Sequence, residues 1–159
     1  MIPLADVQAA IFAAVTRLGP VEVDLRDARA LVLAEQVTAP EAVPPFPNTA
    51  MDGYAVRAAD TTGAAEGAPV RLRVVGELAA GHAPTTAVGD GEAIRIMTGA
   101  PMPDGADSVV MVEYTERDGD AVRVLHAARP GDHVRAAGGD LAPGAVSYTH
   151  LTLPTTERV

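Results

Sequence analysis

The chain has no cysteine, no lysine and no tryptophan, and only two phenylalanines and three tyrosines. Without cysteine there is no disulfide, no thiol nucleophile and no thiolate metal site, which suits a reducing, cytoplasmic setting. Without large aromatics the core must be built from Ala, Val, Leu and Ile, whose smaller area per residue limits stability. Cations are scarce as well: 12 arginines face 21 Asp and Glu, a formal net charge of −9. So acidic a chain is a poor match for nucleic acid, where affinity comes largely from neutralising phosphates, and for anionic membranes. No apolar run approaches the ~20 residues of a bilayer span. The start, Met1-Ile2-Pro3-Leu4, lacks the basic stretch of a secretory signal. What is present is a chain of 159 residues, 48% apolar, which suits one domain or two small ones.

Leu4, Val7, Ile11, Ala14, Val15 and Leu18 recur at helical spacing, and Gly19-Pro20 supplies a stop, so one amphipathic helix is predicted there. Val21-Glu22-Val23 alternates like a short strand, Asp24 can cap a brief helix over 25–30, and 31–37 reads as another strand. Four prolines between Ala39 and Pro47 forbid regular helix or central strand and redirect the chain. From Pro69 onward the pattern is β. Val70, Leu72 and Val74 alternate with arginines, and 93–97, 108–112 and 121–125 read as further strands. Arg117-Asp118-Gly119-Asp120 is a hairpin signal joining the last two. The expected organisation is residues 1–50, a β-rich domain over 51–135, a return segment over 136–146, and a tail over 147–159. That tail abandons the Ala- and Gly-rich composition before it and reads as foreign to the fold, so no function is drawn from it.

Two loops concentrate the chemistry. Pro45-Phe46-Pro47-Asn48-Thr49-Ala50-Met51-Asp52-Gly53-Tyr54 presents one carboxylate, Asp52, between a proline-stiffened approach and a glycine suited to a sharp turn. Such a carboxylate can ligate Mg²⁺, act as a general base, or cap its own turn. Arg95-Ile96-Met97-Thr98-Gly99-Ala100-Pro101-Met102-Pro103 then ends a strand in Thr98-Gly99, offering a hydroxyl and neighbouring N–H groups to an anion. The glycines of Gly76-Glu77-Leu78-Ala79-Ala80-Gly81, and the acidic Asp90-Gly91-Glu92 and Asp118-Gly119-Asp120, are read as turns. His82, His126, His133 and His150 show no metal-ligand spacing and are read as surface residues.

The two loops, in this order, resemble the N-terminal part of the MoeA family, the molybdopterin molybdenumtransferases. A third segment, Pro130-Gly131-Asp132-His133-Val134-Arg135-Ala136-Ala137-Gly138-Gly139-Asp140, resembles the family stretch in which an arginine precedes a Gly-x-Asp turn. The resemblance covers about residues 1–146. It implies an α+β fold: the N-terminal part of a helical or extended linker domain over 1–50, a small barrel-like β domain over 51–135, and a return to the linker domain over 136–146. It also implies insertion of molybdate into adenylylated molybdopterin with release of AMP, assisted by Mg²⁺, in a homodimer; composition adds the expectation of a cytoplasmic chain that binds neither nucleic acid nor membrane.

By position the resemblance assigns Asp52, Thr98 and Asp140 to catalysis, Gly99 and Ala100 to substrate, and Asp52 and Asp140 to the metal, with Arg135 structural. Gly139 stands where relatives often carry an acidic residue or serine, so that side chain's contribution is absent. The pterin-binding domain that such chains continue into is missing, so the chain is expected to hold one wall of an active site and to be inactive alone. Two other classes compete. One is a non-catalytic interaction module of the kind found in the MoeA-like scaffold gephyrin. The other is a carboxylate–metal hydrolase using Asp52 and Asp140.

Overall fold

The computed structural model of the protein describes residues 2–16 and 18–148. In chain order they form helix α1 (Leu4–Ala14) and strands β1 (Val37–Thr38), β2 (Asn48–Thr49), β3 (Gly53–Val56), β4 (Val70–Leu78), β5 (Glu92–Ile96), β6 (Ser108–Met111), β7 (Thr115–Asp118), β8 (Ala121–Val124), β9 (Val134–Arg135) and β10 (Val146–Tyr148). The described residues fall into two compact units, one drawn from the chain up to Val37 and from Val146 on, the other of residues 38–145. No described helix is long and apolar enough to cross a membrane.

In the first unit α1 stops one turn before the expected Leu18. Val15 is already extended, with φ −98° and ψ 124°. Two β-branched residues in a row, Val15 and Thr16, lose χ1 freedom in a helix and favour this release. The strands expected over 21–23 and 31–37 and the helix over 25–30 do not form. Asp24 instead closes a turn, accepting the Arg26 N–H through its carboxylate (2.9 Å) and the Asp27 N–H through its carbonyl (2.9 Å). A short apolar alternation becomes a strand only where a neighbour satisfies its N–H and C=O groups, and here only the β1 position has one. Of the helical or extended linker domain expected from the resemblance, the described residues show a single helix among turns. Of the tail expected over 147–159, residues 149–159 lie outside the described part.

The second unit is built on a six-stranded sheet of order β6-β3-β5-β4-β8-β7, beside which β2 and β9 form a separate antiparallel pair. All neighbours in the large sheet run antiparallel except β4 and β5. A three-residue helical turn, Val112–Tyr114, carries the chain from β6 on one edge to β7 on the other. So short a link spans only ~10 Å, so the sheet must curl until its edges approach. The expected barrel is therefore an open half-barrel. The hairpin at Gly119-Asp120 joins β7 to β8, not the 108–112 strand to β8, because that strand is β6 and pairs with β3.

Period-two alternation divides the core between the two faces of the sheet. One face buries Tyr54, Val56, Leu72, Ala93, Val110, Val122 and Val124, and the other buries Ala55, Leu78, Val88, Ile94, Ile96 and Val109. As composition required, Tyr54 is the sole aromatic among these clustered residues. Strand β4 serves both faces because its register to β5 slips between Val74 and Gly76, a bulge that reverses which residues point which way. Gly76 accordingly lies inside this strand, not in the turn expected for it, whereas Gly81 does occupy a turn with φ 82°.

Candidate functional site

The antiparallel register of β3 and β5 decides what meets at one end of the sheet. Gly53 lies opposite Ile96. One residue before Gly53 and two after Ile96, Asp52 and Thr98 are thereby brought to the same corner. The ladder to β6 continues one step past the strand, with the Val112 N–H donating to the Asp52 carbonyl (3.1 Å). The backbone carrying Asp52 is thus held on both sides.

Gly53 is required here for a reason other than the expected turn. It belongs to a strand, and a Cβ at this position would overlap the Val110 carbonyl oxygen of β6. Close approach of two backbones, not a positive φ, excludes any side chain.

Thr98 donates twice to one oxygen of Asp52: its N–H at 2.7 Å and its hydroxyl at 2.6 Å, both to Oδ1. The hydroxyl bond, then the N–H bond, and more weakly the charge of Arg95 hold the Asp52 carboxyl below its ordinary value of 3.8, against a small opposing effect of burial. Asp52 is exposed, and no hydrogen bond among the described residues engages its Oδ2. The arrangement is an ionised carboxylate fixed through one oxygen, with the other directed to solvent.

The loop beneath the corner is tied together by Thr49, which is wholly buried. Its N–H donates to the Ala100 carbonyl (3.0 Å) and its carbonyl accepts from the Gly99 N–H (2.9 Å). Its hydroxyl donates to the Met51 carbonyl (2.6 Å) and accepts from the Met51 N–H (3.1 Å), closing the turn that presents Asp52. The third segment joins through β9: Asn48 pairs with Arg135, Thr49 with Val134, and the Ala50 N–H donates to the His133 carbonyl (2.9 Å). All three sequence segments therefore converge. Sequence alone does not mark Thr49, because a buried threonine in a two-residue strand has no pattern of its own. The nearest signal was its place between two prolines and the acid.

Not every expected contact follows. The N–H groups of Thr98, Gly99 and Ala100 donate to Asp52, Thr49 and Met97, so the amides expected to greet an anion are already engaged. Ala100 is fully buried. Asp140 is exposed in the turn after β9, its N–H donating to the Val43 carbonyl (2.9 Å), and it shares no hydrogen bond with Asp52 or Thr98. Among the described residues no three His, Asp or Glu side chains gather to hold a metal ion. His82, His126 and His133 are exposed, as expected, with His126 beside the Tyr114 ring at 5.2 Å between centroids. His150 lies outside the described residues.

The family model for the MoeA N-terminal region, domains I and II, matches residues 2–155. Molybdopterin molybdenumtransferase 2 of Mycobacterium tuberculosis is 47% identical over 125 residues, covering 79% of this chain and 31% of its own. The molybdopterin molybdenumtransferase of Bacillus subtilis is 40% identical over 137 residues, covering 84% and 32%. The crystal structure of the molybdopterin biosynthesis moeA protein from Pyrococcus horikoshii OT3 superposes with a TM-score of 0.76 at 40% identity, over 79% of this chain and 33% of that one. The chain thus spans about a third of the length of these relatives. With its half-barrel, its Asp52–Thr98 corner and these matches, the chain belongs to the MoeA family, as the counterpart of that family's N-terminal region.

Proposed function

We propose that this chain forms one wall of the site at which molybdate is inserted into adenylylated molybdopterin, with AMP released and molybdenum cofactor formed. The observation that carries this reading is the doubly bonded Asp52 carboxylate with Oδ2 open, at the point where three family-like segments converge.

Asp52 acts as the primary carboxylate, and Thr98 fixes its direction and keeps it ionised. Asp140, exposed on the turn after β9, is the second carboxylate, while Gly99 and the buried Ala100 shape the loop that faces substrate. The donor set suits Mg²⁺, a hard ion that accepts one or two carboxylates and keeps water and substrate phosphates as its remaining ligands. Asp52 Oδ2 and Asp140 would hold it. When bound, that ion supplies positive charge to offset the repulsion among molybdate, phosphate and carboxylate oxygens. Two exposed carboxylates do not enclose an ion or a substrate. The opposite wall therefore comes from elsewhere, in our reading from the partner of a homodimer, and the chain alone is inactive.

The test is a chimera in which residues 1–146 replace the matching segment of the Bacillus subtilis relative, with molybdenum cofactor formation as the readout. The chimera is expected to be active and the isolated chain inactive. Asp52→Asn should lower the chimera's rate by about tenfold or more, the scale typical of disturbed metal sites. Full activity of the Asp52→Asn chimera would sink the assignment.

A further inference from the structure

Strand alternation places another charged side chain beside the Asp52 corner. In β5, Ala93 packs in the Tyr54 cluster while Ile94 and Ile96 pack in the Leu78 cluster, so Arg95 stands on the Tyr54 face of the sheet. It lies opposite Tyr54 on β3 and next to Glu77 on β4. Asp52 precedes Tyr54 by two residues, which makes Arg95 and Asp52 diagonal neighbours on one face, a spacing that long side chains bridge. The effect of Arg95 on the Asp52 carboxyl agrees with that proximity. Glu77 reaches the same face only because the bulge in β4 reverses the alternation ahead of it.

Arg95 also differs from several arginines in or beside its sheet. Arg57, Arg71, Arg73 and Arg123 each form a salt bridge. Arg95 is half-buried, yet it forms none among the described residues. A partly desolvated cation whose neighbouring carboxylates, Asp52 and Glu77, form no salt bridge with it carries a cost that an anionic ligand would offset. Its planar guanidinium matches two oxygens of a tetrahedral oxyanion.

We propose that Arg95 is the anion-binding residue of the Asp52–Thr98 corner, seating a phosphate group or molybdate there while Glu77 limits the affinity. The physiological identity of the anion rests on the functional reading above; the site itself does not. With the loop amides already engaged, a side-chain cation is the group left to receive negative charge.

The test is titration of sodium phosphate, and separately sodium molybdate, into the isotope-labelled 159-residue chain at low ionic strength, followed by NMR of the arginine Nε–H and backbone amides. The Arg95 Nε–H and the Thr98 amide should shift saturably. Arg95→Gln should weaken binding by about tenfold or more, the scale of a lost charge-assisted pair, and Arg95→Lys by less. Glu77→Gln, at an exposed position, should tighten binding by roughly twofold to threefold.

Unchanged affinity in Arg95→Gln with a native backbone spectrum overturns the proposal. If that variant does not fold, a Glu77→Gln chain with no gain in affinity overturns it instead. Arg95-dependent phosphate binding combined with a chimera indifferent to Asp52→Asn would remove the transferase reading and leave the anion site standing. Arg95-independent binding with an Asp52-dependent chimera would do the reverse.

Discussion

Helix α1 and strand β3 are both rich in apolar residues, and their fates are opposite. Every residue of β3 is buried, because β5 and β6 flank it and both sheet faces are covered. α1 buries none: Leu4 is 71% exposed, Ile11 55% and Phe12 77%. Periodicity therefore shows which face wants a partner without supplying one. Within the described chain, the sheet is stabilised by packing, and the helix rests on its own hydrogen bonds and on the modest propensity of its residues. The difference says where substitutions should hurt.

The largest effect is expected at Gly53. A methyl there must displace the β6 backbone, so Gly53→Ala should cost about 3 kcal/mol or more, enough to unfold a marginal domain. Gly19, where a Cβ would meet nothing within 4 Å, is the control, and Gly19→Ala should change little. Urea unfolding of both variants checks the pair. A Gly53→Ala chain as stable as the parent would mean that β3 and β6 are less closely apposed than described.

Next comes the contrast between core and helix. Leu72, 2% exposed in the Tyr54 cluster, should cost about 2–5 kcal/mol on truncation to Ala. Ile11→Ala on α1 should change stability by less than about 0.5 kcal/mol, since Ile11 is already 55% exposed and little covered area is lost. A large loss at Ile11 would show that α1 is covered in solution, and its dependence on protein concentration would tell whether a second copy does the covering.

The same contrast explains how much could be read in advance. Alternation exposed β4, short apolar stretches exposed β5, β6 and β8, and the loop around Asp52 and Thr98 announced itself through its prolines and glycines. What failed depends on register. The apolar pattern of 108–112 and 121–125 is the same whether the two strands pair or lie apart, so sequence alone does not say that the hairpin joins β7 to β8. Gly76 reads as a turn residue in the sequence because a bulge inside a long strand leaves the same glycine there. Gly53 was credited with a turn when its role is contact with a strand more than fifty residues away. Arg95 drew no notice because an arginine alternating with apolar residues looks like any solvent-facing strand position. Its interest arises only when Tyr54, Glu77 and Asp52 become its neighbours.

The smallest effect is expected at Thr98, and it is the one that reports directly on the corner. The folded-state Asp52 carboxyl lies below its ordinary value of 3.8, chiefly through the Thr98 hydroxyl and N–H. A depressed carboxyl contributes stability that is present above the unfolded value and is lost as pH falls through the folded one. Thr98→Val removes the hydroxyl and keeps the N–H, so only part of that contribution disappears. The deficit of Thr98→Val relative to the parent should therefore be greatest at neutral pH and should shrink below about pH 4, where Asp52 begins to take up its proton in the unfolded state. Because Asp52 is exposed, the deficit should be modest even at neutral pH, and salt should reduce the share that comes from Arg95. Urea unfolding of both chains at neutral and acid pH measures it. A deficit that stayed constant with pH would mean that Thr98 supports the loop by packing alone, and that the carboxylate at the corner is not held by it.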